Sequence, residues 1–204
     1  MPPVHVNLTP TAYAILGLLR ERSMHGYEIA QHFKPETELG QVVPAEMSTV
    51  YTFLKDLQEH GLIRGERVTV GARPPRTVFS LTAEAEPLFL DWVGRPVARI
   101  REVRLDFLIK LYFAQRLGTV QATALVDAQI AVCRDYVERQ QASGRALKPA
   151  SFERLVQESK FTAAESTLSW LNRIATQIAP RKRSAAGVQK QATRSRKSQS
   201  KRTR

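Results

Sequence analysis

The chain of 204 residues has a single cysteine, Cys133. One thiol cannot make an intramolecular disulfide framework or a multi-cysteine zinc site, so stability has to come from a packed core. Long apolar runs are missing too. The longest, Leu105 to Ala114, is interrupted by Asp106 and Lys110 and is too short to cross a bilayer, so no membrane partner is expected. The opening stretch MPPVHVNLTP has neither a basic n-region nor an apolar h-region, which predicts no secretory leader and a cytoplasmic protein. Nucleophile elbows, Gly-rich phosphate loops and paired helical acids are also lacking, so an enzyme is not expected, nor a cofactor. His25 and His32 flank Glu28, but no Cys or Asp cluster joins them, and a bound metal is not expected.

Acidic residues are absent from Pro180 to Arg204, which holds ten Lys or Arg. The formal net charge is +12, and removing those ten leaves 21 basic against 19 acidic residues. The high isoelectric point therefore belongs to the tail. With one valine and no larger apolar residue, the tail cannot offset its ordering entropy and is expected to be a disordered, phosphate-seeking arm. The bland reading is a solubilising extension.

Apolar residues make up 43% of the sequence, enough for one ordinary domain or two small ones. Thr9-Pro10 is a helix-start pair, and Ala12, Ile15, Leu16, Leu18 and Leu19 form a stripe over Thr11–Arg22. Gly26 opens a short helix predicted over Tyr27–Lys34, stopped by Pro35. A loop with Gly40 and Pro44 leads to a third helix, about 46–60, ended by Gly61. Two strands follow, LIRGERVTV and RTVFSLT, joined by the turn GARPP. Helical pattern resumes with Thr82 as a cap and continues through Trp92. A helix predicted over Arg99–Leu117 ends at Gly118. Two more, 119–143 and about 150–178, carry seams of Val126, Ile130, Cys133 and Val137, and of Phe161, Ala164, Leu168, Leu171, Ala175 and Ile178.

Helix, helix, long turn, helix and two-stranded hairpin is the order of a winged helix-turn-helix, whose third helix enters the DNA major groove. The expected fold is mainly α: residues 1–95 a winged DNA-binding domain with a two-stranded wing, 96–179 an all-α dimerisation and effector domain with long helices, 180–204 the basic tail. In the third helix, Val50, Leu54 and Leu57 define the packed side. Ser48, Thr49, Thr52 and Lys55 take the other, where small hydroxyl groups can approach bases and phosphates. In the hairpin Arg64, Arg67, Arg73 and Arg76 face one acid, Glu66, and Arg73 sits beside Pro74-Pro75 at the tip, placed for a minor groove or flanking phosphates. Residues 8–82 hold eight bases and eight acids, so affinity must come from how the charge is arranged.

The segments HGYEIAQHF, STVYTFLKDLQEHGLI and RPPRTVFSLT resemble the PadR-like transcriptional regulators, and the helical second half resembles their dimerisation domain. The similarity spans about 1–179. It implies a homodimeric repressor of a double-stranded DNA operator, released by a small hydrophobic or aromatic effector, with Tyr51, Arg73 and Arg76 touching DNA. Tyr27 is grouped with them, the competing role for both tyrosines being packing against the second helix. At the wing, Thr77, Val78 and Phe79 stand where the family has a lysine and two aromatics. Trp92, where the winged half meets the long helices, is the effector-contact candidate; its bland role, like that of Trp170, is packing. Cys133 is read as a small hydrophobe. The alternative function is an architectural, nucleoid-type protein that coats duplex through its tail.

Overall fold

A computed structural model describes residues 8–69, 75–144 and 148–178. Helix α1 (Pro10–Glu21) starts as its sequence asks: the Thr9 hydroxyl accepts from the Ala12 amide at 3.3 Å, satisfying one orphan donor of the first turn. The predicted stripe, Ala12, Ile15, Leu16, Leu18 and Leu19, is buried.

Met24–His25 then form a two-residue strand, β1, antiparallel to a later strand at Phe79 and Val78. The sheet therefore has three strands rather than the two expected. Two residues are too few to show a period, and backbone pairing leaves no apolar signature. His25 next caps α2 (Gly26–Gln31): its Nδ1 accepts from the Glu28 amide, and the Glu28 carboxylate accepts from the His25 amide, both at 3.2 Å. This is a reciprocal capping box. Burial alone would raise the Glu28 carboxyl, but the His25 amide and the Arg22 guanidinium outweigh it and hold it below the ordinary carboxylate range. Helix α2 stops three residues earlier than predicted. His32, Phe33 and Lys34 donate to Ile29, Ala30 and Gln31, three residues back, and the Thr37 hydroxyl donates to His32 O at 2.6 Å. A Cβ on Gly40 would lie 1.9 Å from Lys34 O, so this tight return requires glycine.

Helix α3 (Met47–Glu59) ends on Gly61 at φ 69. The Gly61 amide donates to Gln58 O at 3.0 Å and the Leu62 amide to Leu57 O at 2.9 Å, the double closure of a Schellman motif. The wing follows as β2 (Ile63–Val68) and β3 (Arg76–Leu81), in register from Ile63 opposite Leu81 to Val68 opposite Arg76, and β3 is the central strand. Thr82 does not cap α4 (Ala85–Gly94), which has Glu84 at its N-cap. Its hydroxyl instead reaches Gly61 O at 2.9 Å and Leu62 O at 3.0 Å, binding the end of the wing to the end of α3.

The helix predicted over 99–117 is broken. A 3-10 helix, Ile100–Arg104, precedes α5 (Asp106–Leu117), and Leu105 between them has φ −124 and ψ −76. Val103 and Phe107 are both buried and spaced like one helical face, so the apolar pattern hides the break. Helix α5 packs back on the winged half. The Phe113 ring lies where a Cβ on Gly17 would come within 2.5 Å, and it meets Phe89 edge-on at 5.4 Å. Helices α6 (Thr119–Gly144) and α7 (Phe152–Ile178) form a long antiparallel pair, its root anchored by Trp170 edge-on to Phe107 at 6.1 Å. Cys133 is buried on α6, and burial raises its thiol. One apolar cluster runs from Ala12 to Leu171. Among the described residues no helix is long and apolar enough to cross a membrane.

Candidate nucleic-acid interface

With Val50, Leu54 and Leu57 no more than 1% exposed, α3 has one side left for solvent. Ser48, Thr49, Tyr51, Thr52 and Lys55 are all exposed on it. The Thr52 hydroxyl donates to Ser48 O at 3.1 Å, which leaves its oxygen open as an acceptor. Lys55 lies 3.7 Å from Glu59, with both side chains mostly exposed. Such a loose surface pair contributes little, so Lys55 is easily traded to a phosphate or base edge. Glu46 makes no side-chain cap bond, and the first-turn amides therefore remain open to an anion.

Tyr51 leans across the start of α2. A Cβ on Gly26 would sit 2.8 Å from Cε1 of that ring and 2.9 Å from its hydroxyl; only glycine lets the ring lie there. The ring stays 45% exposed, and Tyr27 beside it 54%. Together with His25, Gly26, Arg67 and Arg76, the two tyrosines line a cleft of about 920 Å³ between α3, α2 and the wing.

Arg67 and Arg76 supply the basic wall of this cleft, and Arg64 is not part of its lining. Arg67 stands opposite Thr77, Arg64 opposite Ser80, and Arg76 opposite Val68. All three arginines are exposed, and among the described residues none forms an ion pair. Arg73 lies outside the described residues, as does the tail from 179 to 204. The structure thus gathers Tyr27, Tyr51 and Arg76 around one cleft, with Ser48, Thr49, Thr52 and Lys55 on the exposed side of the helix that forms one wall. The cleft also includes His25, Gly26 and Arg67. Period-two alternation puts Gly65, Arg67 and Thr77 on one sheet face and could have singled out Arg67. The role of Gly26 has no sequence signal, since it depends on where a ring 25 positions later comes to rest.

The sequence profile described as the transcriptional regulator PadR-like family matches residues 15–86, the segment that carries α2, α3 and the wing. Over that segment the chain is similar to PadR-like transcriptional regulators. A second profile, virulence activator alpha C-term, matches residues 103–179. The negative transcriptional regulator PadR of Bacillus subtilis (strain 168) is 34% identical over 118 residues, a match that covers 58% of this chain and 64% of that protein's length. Among solved structures, Bacillus subtilis PadR in complex with operator DNA aligns at 27% identity, covering 84% of this chain and 99% of that one, with a TM-score of 0.43. The same protein in complex with p-coumaric acid aligns at 28% identity over 84% and 100% of the two chains, with a TM-score of 0.38.

Trp92 of this PadR-like chain sits apart from the cleft. Half-buried on α4, it stacks on Tyr13 of α1 with ring centroids 4.4 Å apart and planes 4° from parallel. The Lys110 ammonium lies 4.9 Å from its centroid. The flat surface that made Trp92 an effector candidate is thus partly covered by the protein's own groups.

Proposed function

We propose that the chain is a sequence-specific DNA-binding repressor that acts as a homodimer and is released from its operator by a small effector. Residues 1–95 would read DNA, 96–179 would dimerise and sense the effector, and 180–204 would add phosphate contacts. The observation that carries this reading is the outward hydroxyl-and-tyrosine side of α3, flanked by Arg67 and Arg76, which form no ion pair among the described residues. A major groove about 12 Å wide accepts such a helix. Ser48, Thr49, Tyr51, Thr52 and Lys55 enter it, Tyr27 and Arg76 grip the adjoining backbone, and Arg73 serves the wing tip. Two copies would engage half-sites about 34 Å apart. Operator DNA and p-coumaric acid are the ligands named for the Bacillus subtilis relative, and the same two classes are proposed here, with a cytoplasmic, nucleoid-associated location.

For the effector, the stack of Tyr13 on Trp92 supplies a mechanism. A planar aromatic molecule that inserts there parts α1 from α4 and so displaces the winged half against α5. A coupling of about 1–3 kcal/mol is enough to release DNA. Enrichment of bound duplexes from genomic fragments, together with chromatography at micromolar concentration, tests the reading. A shared palindromic sequence and a dimer support it; a monomer that retains random fragments counts against it.

The tail favours a second reading, a nucleoid-type coat protein. A protein that neutralises six to ten phosphates loses roughly 10³–10⁵ in affinity between 50 and 200 mM salt. Deleting 181–204 separates the two. Specific binding with a shallower salt slope keeps the repressor, and loss of all binding favours the coat protein.

A further inference from the structure

The α6–α7 pair is joined to α5 through one residue. Gly118 joins α5 to α6 at φ 134 and ψ 165, a conformation that residues with side chains rarely adopt. A one-residue joint fixes where α6 starts but not where it points. A second attachment lies inside the molecule. Gln129 of α6, 0% exposed, closes a two-way bond with one residue of the strap that follows α4: its Oε1 accepts from the Val97 amide at 2.8 Å, and its Nε2 donates to the Val97 carbonyl at 3.0 Å. Lys110 of α5, 5% exposed, donates to the Arg95 carbonyl at 2.8 Å.

Gln129 and Lys110 are the buried polar side chains of the described core, and both bond to the same three-residue strap. A leucine or methionine would fill either volume without the cost of burying polar atoms. What the polar groups add is direction. Opposed donor and acceptor bonds hold the Val97 backbone in one orientation against α6, and the Lys110 bond does the same for Arg95 against α5.

We propose that Gln129 and Lys110 are positioning residues for operator recognition, which through the strap 95–97 set the tilt and separation of the two recognition helices in the dimer. This rests on the operator-binding reading above. The test uses the full chain as wild type, Gln129→Met, Gln129→Glu and Lys110→Met. Each is titrated with three duplexes: one enriched by the wild-type chain from a randomised library, the same duplex with a base pair inserted between its half-sites, and a duplex with a single half-site. Each folded variant should bind the single half-site within about twofold of wild type and the intact duplex about tenfold more weakly. The inserted base pair should also cost the variants less than it costs wild type. Equal losses on all three duplexes, or an unchanged spacing penalty, overturn the proposal. Should Gln129→Met fail to fold, Gln129→Glu and Lys110→Met decide by the same comparison. A wild-type chain that enriches no duplex overturns this inference and the operator reading together. One that enriches a duplex which the variants then treat as wild type does overturns this inference alone.

Discussion

Helix α3 places its apolar side, Val50, Leu54 and Leu57, wholly against its own chain. Helix α7 has twice the length, yet only Ala164 and Leu171 are buried. Phe161, Leu168, Trp170, Ile174 and Ile178 are half-buried, and Phe152 and Leu155 near its start are 76% and 57% exposed. Both helices are amphipathic, so the difference lies in what is available to cover them. A helix whose stripe is matched by its own fold presents its polar side to a ligand. A helix whose stripe exceeds what the chain can cover presents an apolar side, and large exposed patches of that kind mark association surfaces.

The largest expected effect tests that contrast directly. Leu54→Ala should cost about 2–5 kcal/mol, the usual penalty for a fully buried leucine, and the loss should be the same at low and high protein concentration. Phe152→Ser with Leu155→Ser should change the unfolding free energy of dilute protein by no more than about 0.5 kcal/mol while weakening self-association at least about tenfold. Denaturation at two concentrations, paired with sedimentation, reads both. If the α7 double substitution unfolds dilute chain as Leu54→Ala does, α7 is finished within one chain and the contrast fails.

A smaller effect places the same change on either side of it. Gly17→Ala drives a methyl into the Phe113 ring, 98% buried, and overpacking of that kind costs about 1–3 kcal/mol of stability. Gly26→Ala drives a methyl into the Tyr51 ring, which is nearly half exposed and free to swing away. There the expected loss is in operator affinity, about tenfold or 1.4 kcal/mol, with little change in melting temperature. Smaller again, Thr52→Ala and Lys55→Ala should each lower operator affinity by about 1 kcal/mol relative to random duplex. Equal losses on both DNAs would make these side chains phosphate contacts. Arg73→Ala should weaken both DNAs alike, and wild-type affinity in that variant would remove the wing tip from the interface.

How far the sequence was legible follows from the range of each signal. The packed and open sides of α3, the Gly61 stop and the alternation of β2 and β3 are local patterns, and they were readable. The misread features depend on remote partners. Strand β1 exists because β3 passes beside it. Thr82 bonds to Gly61 and Leu62 rather than capping because the wing returns to that point. The break at Leu105 was hidden because the two apolar residues around it keep helical spacing. The cleft was half-readable: the hairpin arginines pointed to Arg76 and the family resemblance to Tyr51, whereas the space for Tyr51 is made by a glycine on another helix.

The smallest expected effect separates the two regions by pH. All four histidines of the chain lie within its first 60 residues, so α6 and α7 have none. His32 follows α2, and burial, seconded by the Arg22 guanidinium, lowers its imidazole below the ordinary value. The folded chain therefore takes up this proton less readily than the unfolded chain. Stability from this source is fully present above the unfolded value, about 6.5, and is lost as the pH falls towards the lower folded value. Unfolding free energy should fall modestly from about pH 7.5 to about 5.5, and His32→Gln should flatten part of that slope. Affinity of the proposed dimer, if carried by the histidine-free helices α6 and α7, should stay level across the same interval. A dimer that loosens in step with the winged half would mean that the two regions are coupled through their shared core, and that α7's uncovered face does not act alone.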